Sequence, residues 1–193
     1  MRLRPFTDFL QKYVSLTPDE VTALEQLLGV TSYSKGEMIL QEGEISSAFY
    51  FVMKGCCRMY YIVDGLEKNT FFYSEGQFVS SYESFVHQTP SKHYIECIED
   101  CELVRISHQH AAQLLALSSN FEQLSRILME DELIVYQKML FSFVAMNAEQ
   151  RYLAFLNEYP QLIQRIPLYH IASYLGVNAE TLSRIRKRVT QRN

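Results

Sequence analysis

The chain has 193 residues, and 48% of them are hydrophobic, which is enough to bury the core of one large or two small domains. Glycine and proline are scarce, with 7 and 5 residues, and this excludes a largely disordered or fibrous chain. The net charge of −4 argues against nucleic-acid binding over the whole surface, and no run of about 20 apolar residues indicates a membrane span. The first residues lack the apolar core of a signal peptide, so we expect a cytoplasmic protein without membrane contacts.

The N-terminal part of the chain, up to Gly29, is predicted to be helical. Thr17 can cap the first turn of a helix, and the proline and two acids that follow it suit the positive end of a helix dipole. Leu24, Leu27 and Leu28 are the apolar residues that this helix would bury. Gly29 is expected to end it.

Residues 30–107 change to a pattern typical of β-strands, in which short runs of apolar residues are interrupted by glycines. Asp64 and Gly65 lie between two such runs and form a favourable two-residue hairpin turn. Many short strands joined by tight turns predict an antiparallel jelly-roll, or β-roll. With helices before and after it, the expected fold class is α+β.

Four cysteines lie in these strand-like runs: Cys56, Cys57, Cys97 and Cys101. Cys56 and Cys57 would face opposite sides of one strand, whereas Cys97 and Cys101 would share a face. Buried thiols in a reducing compartment are the simplest interpretation. An iron–sulfur or other redox role is the alternative, and the spacing gives it no positive support.

A short helix that starts at residue 107 or 108 and a long helix over residues 119–146 are predicted next. In the long helix, apolar residues repeat at alternating steps of four and three, which is the spacing of a coiled-coil seam. The seam consists of Met129, Leu133, Tyr136, Leu140 and Phe143. A second apolar stripe on a neighbouring face contains Ile127, Ile134 and Phe141. One stripe can pack on the β-domain and the other on a second copy, so we expect a homodimer; a helix enclosed within one chain is the alternative.

After a further predicted helix at residues 148–158, the chain has the pattern of a helix-turn-helix. Ala172 is small where two helices must cross closely, and Gly176 can take the positive φ that ends the first of them. Asn178 is a good N-cap for the second helix. Contacts between the two helices are expected from Ile171, Leu175, Val177, Leu182 and Ile185. The second helix would suit a DNA major groove, and an ordinary helical hairpin is the alternative.

The C-terminal segment is basic although the chain is acidic. From Ile166 to the end, five basic residues accompany one acid, Glu180, so this segment carries +4 and the rest of the chain −8. The basic residues are Arg184, Arg186, Lys187, Arg188 and Arg192. A basic C-terminal segment on an otherwise acidic chain indicates a DNA-binding unit attached to another domain.

The order of these elements resembles the Crp/Fnr superfamily of bacterial transcription regulators. Residues 35–44, Lys-Gly-Glu-Met-Ile-Leu-Gln-Glu-Gly-Glu, resemble the first turns of a cyclic-nucleotide-binding fold, and residues 168–188 resemble the DNA-binding motif. The resemblance implies an effector-sensing β-roll domain over residues 1–118, a dimerisation helix over 119–146 and a helix-turn-helix domain over 147–193. It also implies a dimer that binds a palindromic site on double-stranded DNA and works with RNA polymerase.

The residues that bind a cyclic nucleotide in this family are missing here. By resemblance, Ser80 and Ser81 stand where a Gly-Glu pair is expected, and Ser91 stands where an Arg is expected. A buried cyclic phosphate requires a charged donor, and Lys92 is offset by one residue, which tends to turn a side chain the other way. We expect control by a signal other than cyclic AMP, or no ligand. Candidate residues for an unknown small-molecule effector are Ser80, Ser81, Tyr82, Ser91 and Lys92; a vestigial pocket and a cyclic-nucleotide response through Lys92 are the alternatives.

The resemblance also assigns roles on the second helix of the motif. Glu180 and Arg184 share a helix face and match two base-reading positions, where Arg184 can pair with guanine and Glu180 can accept from a cytosine amino group. Ser183 is a further candidate for a base contact. Ala179 stands where well-known members have another Arg, so the operator should differ at that base pair. The phosphate candidates are Thr181, Arg186, Lys187 and Arg188. A surface ion pair between Glu180 and Arg184 is the alternative.

We expect no cofactor, no metal and no enzymatic activity. His108 and His110 have the spacing of metal ligands in a cupin-like metalloenzyme, but they lie at a predicted helix start and have no third ligand at suitable spacing. A dimeric interaction module with a vestigial helix-turn-helix is the other alternative. The short stretch before Ile166 and the few residues after the second helix indicate a reduced β-hairpin wing.

Overall fold

The computed structural model describes residues 2–192 and divides the chain into two compact units. The first unit contains the chain up to Tyr60 and continues over Phe71–Glu130. The second unit combines Tyr61–Thr70 with the segment that begins at Asp131. Each unit has its own buried core and is described by itself.

The helices and strands follow one another in the predicted order. The described helices are α1 (Arg4–Leu10), α2 (Pro18–Leu27), α3 (Tyr82–His87), α4 (His108–Leu117), α5 (Ser119–Ala145), α6 (Ala148–Glu158), α7 (Leu168–Tyr174) and α8 (Ala179–Arg192). The strands are β1 (Val30–Tyr33), β2 (Met38–Leu40), β3 (Ala48–Lys54), β4 (Cys57–Val63), β5 (Leu66–Tyr73), β6 (Phe78–Val79), β7 (Tyr94–Cys97) and β8 (Cys101–Ser107). None of the described helices has the length and apolar character needed to cross a membrane.

The strands form two four-stranded sheets, with the orders β1-β8-β3-β6 and β2-β7-β4-β5. The pairs of β1 with β8, β3 with β8, β3 with β6, β2 with β7 and β4 with β7 are all antiparallel. Asp64 and Gly65, between β4 and β5, have φ angles of 52° and 74°, which the predicted hairpin turn requires. The antiparallel jelly-roll and the α+β class are therefore confirmed.

The core of the first unit is rich in aromatic rings. The ring of Phe51, on β3, lies 4.9 Å from the rings of both Phe6 and Phe9 and 5.2 Å from that of Phe78. Leu24, at the centre of α2, is fully buried in the same cluster. Because aromatic side chains bury large areas, this cluster holds α1 and α2 against the β1-β8-β3-β6 sheet.

The core of the second unit is helical. Its largest fully buried side chains are Phe155, Leu162, Ile171, Leu175, Leu182 and Ile185, which come from α6, α7, α8 and their connections. Residues 159–167 between α6 and α7 form turns, and the described part of residues 147–192 contains no strand. We expected a reduced β-hairpin wing, and the described part of this segment has no wing.

The two units differ from the three segments expected from the sequence. The division falls inside α5, between Glu130 and Asp131, and Tyr61–Thr70 of the β4–β5 hairpin belongs to the second unit. Hydrogen bonds explain the placement of the hairpin. The hydroxyl of Ser173, on α7, donates to the carbonyl of Glu67 over 2.8 Å and accepts from the backbone N–H of Asn69 over 3.0 Å.

Candidate nucleic-acid interface

The turn between α7 and α8 has the geometry that the sequence predicted. Gly176 has a φ of +68°, a conformation that residues with a Cβ rarely adopt. The N–H groups of Gly176 and Val177 donate to the carbonyls of Ser173 and Ala172, each over 3.0 Å, and so close the end of α7. Asn178 then caps α8, because its Oδ1 accepts from the backbone N–H of Thr181 over 2.8 Å.

Apolar contacts hold the two helices together below this turn. Of the predicted contact residues, Ile171, Leu175, Leu182 and Ile185 are at most 1% exposed, whereas Val177 is only half-buried. Ala172 is also buried, which agrees with its predicted place at a close crossing. The polar face of α8 therefore points away from its own core.

The residues predicted to contact DNA lie mostly on that polar face. Exposed side chains are those of Glu180, Ser183, Arg184, Lys187 and Arg188, and half-buried ones are those of Thr181 and Arg186. The guanidinium of Arg184 donates to Oγ1 of Thr181 over 3.2 Å, and within residues 2–192 it makes no ion pair with Glu180. The guanidinium of Arg188 lies 3.1 Å from the carboxylate of Glu149, on α6. The side chain of Arg192 lies outside the described residues.

Arg151 makes structural contacts that the sequence did not predict. Its guanidinium donates to the carbonyl of Leu175 through Nε over 3.1 Å and Nη2 over 2.8 Å, and to the carbonyl of Met146 over 2.7 Å. It also stacks over the ring of Phe143, 5.2 Å from the ring centroid. One side chain of α6 thus joins the end of α5 to the turn of the helix-turn-helix.

The predicted seam of α5 is exposed along its length. Within α5, the buried residues are Phe121 and Leu124, near its beginning. The five seam residues are between 42% and 66% exposed. In the second stripe, Ile134 and Phe141 are exposed as well, and Ile127 is half-buried. The apolar contacts of α5 with the core of the first unit end near Leu128.

The candidate effector residues separate into a buried pair and a surface group. Ser81 and Ser91 are buried, and their hydroxyls lie 3.1 Å apart. Tyr82 is exposed, and Ser80 is half-buried. Lys92 points to the surface, where its ammonium lies 3.0 Å from a carboxylate oxygen of Glu83. The structure brings Ser81 and Ser91 together but does not bring Lys92 to them.

His93, which contacts Ser91, does not supply a cation for a phosphate at pH 7. The hydroxyl of Ser91 donates to the carbonyl of His93 over 2.9 Å. Burial lowers the pKa of His93, so its imidazole is neutral at pH 7. A cavity of about 470 Å³ opens beside Ser91, whose N–H donates to the carbonyl of Glu44 in the cavity lining, but none of the five candidate effector residues is part of that lining. Its lining residues are Ile39, Leu40, Glu44, Ile45, Ser46, Ser47, Ala48, Tyr50 and Ile95.

His108 and His110, which have the spacing of metal ligands in the sequence, are not the side chains that come together in the structure. Nε2 of His108 lies 2.7 Å from the side-chain amide of Gln88, and its ring stacks on that of Phe85. Neither His108 nor His110 belongs to a group of three metal-ligating side chains within residues 2–192. The group that does occur there consists of Cys57, Cys97 and Cys101.

Comparisons with known proteins place the chain in a structural class. Residues 30–118 match the family described as Cyclic nucleotide-binding domain. FixK2 from Bradyrhizobium japonicum superimposes with a TM-score of 0.74 at 20% identity, over 86% of this chain and 85% of that one. The Catabolite Activator Protein of Thermus thermophilus gives a TM-score of 0.59 at 19% identity, over 95% and 87% of the two chains.

A third structure carries the family name itself. A protein from Eubacterium rectale, described as a transcriptional regulator of the Crp/Fnr family, superimposes with a TM-score of 0.68 at 18% identity, over 92% of this chain and 85% of that one. No curated protein sequence matches the chain. Residues 30–118 are therefore similar to a cyclic nucleotide-binding domain, and the chain shares the fold of these three solved structures.

Proposed function

We propose that this chain, which is similar to a cyclic nucleotide-binding domain over residues 30–118, is a sequence-specific DNA-binding transcription regulator. The exposed polar face of α8 is the observation that carries the proposal. Glu180, Ser183 and Arg184 point away from the apolar core on the N-terminal half of a helix whose start is capped by Asn178. In a helix-turn-helix this half of the second helix lies against base edges in the major groove.

The charge of α8 supports the same assignment. Arg184 is exposed and its guanidinium is held only by the hydroxyl of Thr181, so it can turn to a guanine without breaking an ion pair. Lys187 and Arg188 are exposed one turn further along, where they can contact phosphates. Glu180 can accept a hydrogen bond from a cytosine amino group.

The regulator acts as a homodimer in this proposal. The seam of α5 leaves five apolar side chains exposed at coiled-coil spacing, and a second copy of the same helix would cover them. A two-fold dimer presents two copies of α8, so the operator is expected to be palindromic, with half-sites about one helical turn apart. RNA polymerase is the expected partner at the promoter, and the cytoplasm is the expected compartment.

The controlling signal in this proposal is not a cyclic nucleotide. Ser91, which stands where the family's Arg is expected, carries no charge and bonds to Ser81 and His93, and Lys92 is paired with Glu83 at the surface, so neither residue offers the free cation that a buried cyclic phosphate requires. We infer that the β-roll responds to another small molecule or acts without a ligand.

Selection of duplex DNA from a random pool tests the proposal. The purified full-length protein, at moderate salt, should enrich a two-fold symmetric sequence, and gel shift should show one dimer for each duplex. A variant with both Glu180→Ala and Arg184→Ala is the matched control, because both residues are exposed and the fold should be retained. Failure of the unaltered dimer to enrich any palindrome would refute DNA-sequence recognition and favour an interaction module.

A further inference from the structure

Three buried cysteines meet inside the β-roll, although they are far apart in the sequence. Sγ of Cys57 lies 3.9 Å from Sγ of Cys97 and 3.9 Å from Sγ of Cys101, and all three sulfurs lie within 4.8 Å of one another. The three residues are at most 2% exposed, and none is disulfide-bonded. The sulfurs thus form a compact triangle that solvent does not reach.

The backbone builds this triangle from three strands. Cys57 on β4 lies directly opposite Cys97 on β7, and Cys101 begins β8. Gly55 has a φ of +96°, and a Cβ at this position would come within 2.6 Å of both the carbonyl oxygen of Asp100 and Sγ of Cys101. Only glycine therefore lets the chain pass so close to the third sulfur.

The size of the triangle matches that of a three-coordinate thiolate complex. With bonds of about 2.3 Å, as in zinc thiolates, a planar three-coordinate complex separates its sulfurs by about 4 Å, and a pyramidal one such as As(SR)₃ brings them a few tenths of an ångström closer. Two of the sulfur–sulfur distances are already 3.9 Å. Thiolates are the ligands that soft ions select. We propose that Cys57, Cys97 and Cys101 form a binding site for a trivalent thiophilic metalloid, with arsenic(III) as the probe.

The net charge of the complex with three thiolates favours a trivalent ion. Three thiolates around a trivalent ion are neutral, whereas a divalent ion would leave one buried negative charge and a monovalent ion two, and burial penalises such charges. Glu37 adds a further negative field at Cys97. Zinc also prefers a fourth ligand, and no fourth His, Cys or carboxylate joins the group within residues 2–192.

The proton balance favours the same class of ligand. A bare cation that binds protonated thiols must expel their protons into the solvent. Arsenous acid instead takes them up as water: As(OH)₃ and three thiols give As(SR)₃ and three H₂O. Three As–O and three S–H bonds break, three As–S and three O–H bonds form, and no atom is oxidised or reduced.

Titration of the reduced full-length protein with arsenite tests the proposal. Native mass spectrometry should show one arsenic for each chain, with the loss of three hydrogens, and arsenite should raise the unfolding temperature and protect three thiols from alkylation. Cys57→Ser, Cys97→Ser and Cys101→Ser should each abolish the adduct. Cys56→Ser is the matched control, because Cys56 is equally buried and adjacent to Cys57 but outside the group, and this variant should bind as the unaltered chain does.

Two results with arsenite would overturn the proposal. One is the absence of a one-to-one adduct in the folded unaltered protein, and the other is equal loss of the adduct in Cys56→Ser. Zinc, added separately, should bind more weakly than arsenite and lose affinity as the pH falls; tighter zinc binding would also contradict the assignment. Circular dichroism checks that each variant is folded, and Cys97→Ala replaces Cys97→Ser if the buried hydroxyl unfolds the chain.

Discussion

The guanidinium of Arg151 caps the carbonyl of Leu175 with two hydrogen bonds of 3.1 and 2.8 Å. Leu175 is the residue after α7, where carbonyl groups have no partner within the helix. The two residues are 24 positions apart, so this contact connects α6 to the turn of the helix-turn-helix. A cation is also favourable at this negative end of a helix dipole.

Removal of this cap should destabilise the second unit. Arg151→Met keeps much of the side-chain volume but leaves the carbonyls of Leu175 and Met146 without their donor. Hydrogen bonds to a charged group contribute about 1.5–3 kcal/mol, so the free energy of unfolding should fall by about this amount. Denaturant unfolding measures it, and Arg184→Met, the same change on the exposed face of α8, should have an effect of less than about 0.5 kcal/mol. Equal losses in the two variants would contradict the role of Arg151.

The contrast between Arg151 and Asn178 shows which features a sequence can predict. The cap of Asn178 acts on Thr181, three residues away, and such a local pattern was predicted correctly. The partner of Arg151 is set by how α6 packs against α7, and no spacing in the sequence indicates it. For the same reason the ends of α4 and α6 were predicted within a residue, while the division of the chain inside α5 was not.

Charges placed in the seam of α5 should prevent dimerisation. Leu133 and Leu140 are the most exposed seam residues, and a glutamate at either position would be buried unpaired in a dimer. Leu133→Glu with Leu140→Glu should therefore give a monomer in sedimentation equilibrium at concentrations where the unaltered chain is a dimer. Leu117→Glu, an equally exposed leucine at the end of α4, is the control and should remain dimeric. A dimer that persists in the double variant would place the interface elsewhere.

Two basic residues of α8 should differ in what they contribute to DNA binding. Arg184→Ala should cost about 1–3 kcal/mol on the preferred operator and relax the preference at one base pair of each half-site. Lys187→Ala should weaken binding to all sequences alike and lower the slope of log affinity against log salt by about one for each subunit, because it removes a phosphate contact. Fluorescence anisotropy on matched and mismatched duplexes, at several salt concentrations, separates these effects. The same loss on every duplex for both variants would refute the assigned roles.

Cyclic nucleotides should not bind tightly to the β-roll. The Ser91 hydroxyl contacts that of Ser81 and donates to the carbonyl of His93, and Lys92 is held by Glu83 at the surface, so a buried cyclic phosphate would lack a charged donor. Calorimetry with cyclic AMP and cyclic GMP should show no heat of tight binding. A micromolar dissociation constant would contradict this argument. If the Lys92→Ala variant then lost this cyclic-nucleotide binding, the alternative in which Lys92 replaces the missing arginine would be established.

The cysteine triangle marks a limit of sequence reasoning inside a correctly predicted fold. The sequence placed all four cysteines in strand-like runs and predicted that Cys97 and Cys101 share a face. In the structure they lie on β7 and β8, which belong to different sheets. What joins them to Cys57 is the register of β4 against β7, and register depends on contacts between strands that are distant in sequence.

Acid should weaken the hydrogen bonds of Glu20, which forms a capping box with Thr17 at the start of α2. Its carboxylate accepts from the backbone N–H of Thr17 over 2.7 Å and from the amide of Asn120 over 3.1 Å. Hydrogen bonds to Ser118 and Thr17 lower its pKa, so the folded chain binds this proton less readily than the unfolded chain. The stabilisation is therefore present above the unfolded pKa of about 4.3 and is lost as the pH falls through the lower folded value. The free energies of unfolding of Glu20→Gln and the unaltered chain should differ by a constant amount between about pH 5 and pH 7 and converge at lower pH. Denaturant titrations at each pH measure this difference, and a difference that persists unchanged to pH 3 would show that the carboxylate charge contributes nothing.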